Sequence, residues 1–297
     1  MKKKMMLSKL LLTALAALSI SFAQAQTPGN PVIQKLYVNG SEAMFPAVNA
    51  LGNTFKNQYQ FAPNLDVKIL GQGSTLGLAA LLEGHSNLAT STRKITKQEA
   101  DEFKSAKIVL KEFVVAKEAL TIVVSKSNPV YKLTYQEVTD IFSGKITNWK
   151  DVGGEDQPIK LFIRSNTSGC YEGFKDMFFK QSEDYASNAL QLGSNNDIKK
   201  NLTKYSGGVS FLGYNSAVVQ SGDVKVLKIS IDGENYVQPG QMTIDDGSYK
   251  LTRLCYVYVK ETDYANLPQL KAFIEFLMTA KSADVWEDNG FSSVIKK

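Results

Sequence analysis

Only one histidine and two cysteines stand in these 297 residues. Two thiols, Cys170 and Cys255, are too few for a disulfide scaffold or a cysteine-based metal centre. With His85 as the lone imidazole, a metal site would have to be mostly carboxylate, and no acidic cluster of that kind stands out. We therefore expect no metal and no cofactor. "GQGSTLG" (71–77) spaces its glycines G-x-G-x-x-x-G, which is not the dinucleotide spacing, and it lacks the lysine of a phosphate-loop NTPase. No G-x-S-x-G elbow is present. A fixed-period repeat, a low-complexity tract and a Pro/Gly/Ser linker are also missing.

A lasting excess of charge is absent too. "MKKKMMLSKLLLTALAALSISFAQAQ" has lysines at 2, 3, 4 and 9, an apolar run from Leu10 to Phe22, and an Ala23-Gln24-Ala25 cleavage pattern. That is the layout of a secretory signal peptide over residues 1–25, and its apolar run is short for a membrane span. No cysteine follows the cleavage pattern to take a lipid. Four of the 34 Lys and Arg lie in this segment with no acid, leaving 30 cations against 29 anions. The processed chain is nearly neutral, so the basic balance is no nucleic-acid footprint and we expect no nucleic-acid partner.

What is present is alternation. Strand-like runs at 33–38, 66–70, 87–92 and 159–164 are each followed by a helical pattern, and more β-rich runs lie at 107–115, 119–125, 207–214 and 251–259. Thr134-Tyr-Gln-Glu137 is a capping box opening an amphipathic helix that Gly144 stops. Two helices are expected after Leu267. The pattern predicts an α/β fold with largely parallel sheets.

Three polar, glycine-bearing segments sit between a strand and a helix: "VNGSEAMFP" (38–46), "ILGQGSTLG" (69–77) and "FIRSNTSGC" (162–170). Ligands of α/β sheets sit at the carboxyl ends of strands. A helix start adds unpaired N–H groups and the positive end of a dipole, and the two together make an anion site. Serine and threonine supply hydroxyl donors, as in "STRK" (91–94). Arg164 ends an apolar strand with a rigid fork of donors suited to phosphate or carboxylate. Arg93 fits an anion contact and a surface ion pair equally. Cys170 opens a helix, where a thiol gains thiolate character. Three roles are open to it: a nucleophile with His85 as base, a disulfide with Cys255, or a thiol lining the site.

Long, ordered motifs carry a resemblance. "LLEGHSNLATSTRKIT", "ALTIVVSKSNPVYKLTYQEVTDIFSGKITNWKDVGGEDQPIKLFIR", "GGVSFLGY" and "YKLTRLCYVYV" resemble segments of the periplasmic phosphate-binding proteins of phosphate-specific ABC importers, of the type II periplasmic binding protein superfamily. The resemblance covers nearly the whole processed chain. It implies a two-domain venus-flytrap fold, each domain a mixed, mostly parallel sheet flanked by helices. Domain one would hold 31–116 and 249–297, and domain two 117–248. It further implies a periplasmic monomer that is not an enzyme and hands phosphate, or a similar oxyanion, to an inner-membrane permease.

By the same resemblance the ligand-binding residues are Ser41 and Glu42 after the first strand, Ser74, the pair Thr92 and Arg93, and then Arg164, Ser168, Gly169 and Cys170. Four positions depart from the family pattern. Cys170 replaces a threonine, Asn166 replaces an aspartate that pairs with the arginine, and Thr92 stands where some members carry an aspartate. Glu42 stands among residues that are small and hydroxylic in the family. One expectation follows: Glu42 supplies the missing carboxylate, either accepting the phosphate proton or pairing with Arg164. Its rival is an acid that merely favours a helix start. The departures also keep open a sensor or adhesin on the same scaffold, with a different anion or none.

Overall fold

The computed structural model describes residues 35–58, 65–179 and 183–295. The expected signal peptide lies outside them. The chain opens with β1 (Lys35–Gly40), α1 (Phe45–Gln58), β2 (Asp66–Leu70), α2 (Ser74–Glu83), β3 (Leu88–Ser91), α3 (Lys97–Ser105) and β4 (Leu110–Val124). Next come β5 (Lys132–Thr134), α4 (Tyr135–Phe142), β6 (Lys160–Arg164), α5 (Gly169–Phe178), β7 (Leu190–Leu192), α6 (Asn195–Lys204) and β8 (Gly208–Gly213). Short elements follow: α7 (Ala217–Gln220), β9 (Lys225–Val226), β10 (Lys228–Ser230) and α8 (Gln241–Asp245). The chain returns through β11 (Thr252–Lys260), α9 (Glu261–Asn266), α10 (Pro268–Phe276), α11 (Ala280–Asp288) and β12 (Ser292–Ser293).

The two runs on either side of Ala116 form one strand, β4, of 15 residues. It is the shared spine of a sheet ordered β2-β1-β3-β11-β4-β8-β6-β7. At its start, Leu110 to Ala119 face β11, and its last five residues face β8. Pairing is parallel in β2-β1-β3 and in β8-β6-β7, as alternation with helices predicts. Around the spine it is antiparallel, because β4 leads out of one half of the molecule and β11 leads back.

Two main cores flank this spine. The first gathers Leu36, Val38, Leu51, Phe55, Leu88, Ala116, Cys255, Val257, Phe273 and Trp286. The second gathers Ala119, Ile122, Phe142, Trp149, Phe174, Phe211 and Leu251, with the Phe174 and Phe211 rings stacked at 4.4 Å. Each large ring removes its area from water at roughly 25 cal/mol per Å², so each half, or lobe, has a driving force of its own. Thr134 caps α4 in the expected box with Glu137, and a second box, Thr96 with Glu99, opens α3.

Candidate functional site

Four turns bring strand ends to helix starts. Three belong to the first lobe: β1–α1 with Ser41 and Glu42, β2–α2 with Ser74, and β3–α3 with Thr92 and Arg93. The fourth, β6–α5, belongs to the second lobe and carries Arg164, Ser168, Gly169 and Cys170. All nine residues lie on these turns, and all but Glu42 are buried.

The turns touch one another. Ser41 N–H donates to the Thr90 carbonyl at 2.9 Å and Thr92 N–H donates to Ser74 Oγ at 3.3 Å, which joins the first-lobe turns. Across the lobes, Thr75 N–H in the first turn of α2 reaches the Thr167 carbonyl at 3.4 Å. The lobes meet closely at Gly169, since a Cβ there would run into Thr92 Oγ1 and Ser74 Oγ. Only glycine fits that approach. The helix starts differ. Ser168 Oγ caps α5 by accepting from Cys170 N–H at 3.2 Å, whereas α2 has no side-chain cap although Ser74 is fully buried.

Arg164 sits at the centre of the crossing contacts. Its Nη2 donates to Glu42 Oε2 at 2.7 Å and to the Gly193 carbonyl at 2.9 Å, and its Nη1 donates to Asn195 Oδ1. Asn195 N–H also donates to Glu42 Oε1 at 3.4 Å. Of the two roles expected for Glu42, pairing with Arg164 is the one seen in the structure. Asn166 is exposed.

Arg93 is more committed than its sequence context suggested. Nη1 and Nη2 fork onto the two Glu99 oxygens at 2.7 and 2.6 Å, and Nη2 also donates to Thr75 Oγ1 at 2.8 Å. Burial would push the Glu99 carboxyl up, but Arg93 and the Thr96 amide outweigh it and hold it below the usual carboxylate range. Arg93 is thus part of a buried fork rather than a surface pair. The Nε–H groups of both Arg93 and Arg164 are buried and have no acceptor among the described residues.

Both cysteines are free, so the disulfide alternative is not realised. Cys170 Sγ accepts from Arg253 Nη2 at 2.9 Å, so its sulfur is engaged by β11. His85 is exposed just past the far end of α2, beside Glu83. Ten helical residues, about 15 Å, separate that end from the turn that meets Gly169, which leaves Cys170 without an imidazole base. Among the described residues no group of three or more His, Cys, Asp or Glu is arranged to hold a metal ion.

Sequence reasoning missed Asn195, Glu99, Glu118 and Arg253. Only Glu99 carried a readable signal, since Thr96-Lys-Gln-Glu99 has the same capping spacing as Thr134–Glu137.

A family profile described as a PBP superfamily domain matches residues 25–281. The phosphate-binding protein PstS of Staphylococcus haemolyticus is 28% identical over 255 residues, 85% of this chain and 78% of its own length. The crystal structure of a Clostridium perfringens protein with bound phosphate, described as a phosphate ABC transporter substrate-binding protein, superposes with a TM-score of 0.76. It is 26% identical, and the match covers 88% of this chain and 100% of that one. An ABC-type phosphate transport receptor from Vibrio cholerae superposes with a TM-score of 0.67 at 28% identity, covering 86% and 99% of the two chains.

Proposed function

The chain belongs to the PBP superfamily, and from that premise we propose that it captures phosphate between its two lobes for uptake by an ABC importer. One observation carries the reading: two buried arginines, Arg93 and Arg164, each hold an unpartnered Nε–H beside strand-to-helix turns of both lobes. A buried donor without an acceptor costs about 1–3 kcal/mol, more for a charged group, and a tetrahedral oxyanion removes that cost at both. The uncapped start of α2 adds backbone N–H groups and a favourable dipole. Ser41, Ser74, Thr92 and Ser168 add hydroxyls, and Gly169 permits the approach. Such charge-assisted bonds, made in a space closed to water, give affinity without any covalent step.

In this reading the domains are 31–116 with 249–297, and 117–248, which move about β4 and β11. The protein is a periplasmic monomer that follows its leader out of the cytoplasm and docks on an inner-membrane permease. It makes and breaks no bond in its ligand. The homologous phosphate-binding relatives support the ligand class.

Glu42 supplies selectivity. Sulfate is fully ionised at neutral pH, whereas hydrogen phosphate can donate a proton to a carboxylate. A carboxylate at the site therefore welcomes the second and repels the first. Pairing with Arg164 holds the Glu42 carboxylate in place.

One observation favours a second reading. Both Nη groups of Arg164 already have acceptors, so an anion must bind through Nε or displace a partner. A sensor or adhesin with a different anion, or none, would leave that arrangement intact. Calorimetric titration of the processed chain with phosphate, sulfate and arsenate decides. Phosphate heat with little from sulfate supports the transport reading, and no heat from any of them removes it.

A further inference from the structure

Arg253 and Glu118 are directly opposed across the two crossing strands β11 and β4. Both are buried, and Arg253 Nε donates to Glu118 Oε1 at 2.6 Å. Its Nη2 also donates to that oxygen. The rest of the guanidinium is spent on α5. Nη1 donates to the Gly169 carbonyl at 2.7 Å and Nη2 to Cys170 Sγ at 2.9 Å. One turn later, Gly173 lies so close that a Cβ would meet Nη1 at 2.7 Å. The first turn of α5 therefore rests on one planar cation, and that cation is fixed by a carboxylate on the strand that links the lobes.

We infer that Arg253, clamped by Glu118, is a positioning residue of the anion site: it holds the Gly169–Cys170 helix start in register with the strands about which the lobes turn. This inference rests on the phosphate reading for the role of that helix start. Arg253 does not meet the anion. It acts through Gly169, whose own position against Ser74 and Thr92 sets how closely the lobes approach. A guanidinium suits the task because its planar fork serves carboxylate, carbonyl and sulfur at once, which an ammonium on a flexible stem cannot match. The arrangement also explains the turn of the Cys170 side chain. Its sulfur serves as an acceptor for the clamp.

Removing Arg253 alone would strand the buried Glu118 charge, so that variant can simply fail to fold. The informative variant is the double Glu118→Gln/Arg253→Met, which removes both charges together, with Arg253→Lys beside it. Two readouts are taken on the processed chain: amide exchange of residues 169–173 without added phosphate, and phosphate affinity. Loss of the clamp should speed exchange in that turn about tenfold while α4 and α10 keep wild-type protection. Affinity should fall about tenfold or more, with Arg253→Lys recovering part of it. Wild-type exchange over 169–173 in the folded double variant overturns the inference. Should the wild-type protein itself take up no phosphate, the phosphate reading falls, and the exchange result still decides whether Arg253 holds the helix.

Discussion

Glu42 and Arg164 stand 122 positions apart in sequence and meet at 2.7 Å, one from each lobe. The pair gives the second-lobe arginine a carboxylate that its own turn lacks, since Asn166 stands where an acid would serve. In the proposed function the same contact puts a carboxylate at the anion site, where it would act on the choice of anion.

Replacing that charge tests the choice. Glu42→Gln puts an amide donor where the carboxylate repelled a fully ionised anion. We expect phosphate-over-sulfate preference to fall about tenfold or more. Titration with both anions measures it, and an unchanged ratio would show that Glu42 is no selectivity residue.

The close approach at Gly169 can be blocked directly. Gly169→Ala drives a methyl group into Thr92 Oγ1 and Ser74 Oγ. Such overpacking costs about 1–3 kcal/mol, which lowers phosphate affinity up to about a hundredfold if the lobes must meet here to bind. Wild-type affinity in this variant would mean that the anion is held without that approach.

Glu99 governs an acid-side prediction. Its carboxyl is held below the usual range in the folded protein, so it binds its proton less readily there than in the unfolded chain. The stability it contributes is present above the ordinary carboxylate pKa and lost as pH falls through the depressed folded value. Glu99→Gln leaves Arg93 buried and unpaired and should cost about 3 kcal/mol at neutral pH. It should also flatten the loss of melting temperature on acidification. A variant whose melting curve tracks wild type from neutral to acid pH would show that the fork contributes nothing.

Cys170 should be inert. It is buried, with its sulfur bonded to Arg253 and no imidazole beside it. We expect native-state alkylation by iodoacetamide to be at least about a hundredfold slower than in the unfolded chain. Selective labelling of Cys170 below neutral pH would revive the nucleophile that the helix start first suggested.

The elements and the turns of this site were readable because each depends on neighbours in the chain. A glycine-bearing turn between an apolar strand and an amphipathic run is a local signal, and Arg164 at the end of "IKLFIR" stood out by itself. The partners of these residues were not local. Asn195 reaches Arg164 across 31 positions, and Glu118 reaches Arg253 across 135. No spacing rule encodes such distances. The charged residues in the apolar strands at 110–124 and 252–260 read as interruptions until the strands lie side by side. Arg93 was ambiguous for the opposite reason: its partner is six residues away, but only the fold shows that the pair is buried.

The division of labour along β4 also sets an order of assembly. The second-lobe strands β8, β6 and β7, with the part of β4 they need, are all synthesised by residue 213. The first-lobe sheet cannot close then, because β11, which lies between β3 and β4, begins only at Thr252. The half that starts the chain is therefore the half that finishes last. Closing that sheet waits on a strand more than half of the sequence beyond β3, a long-range pairing that slows folding.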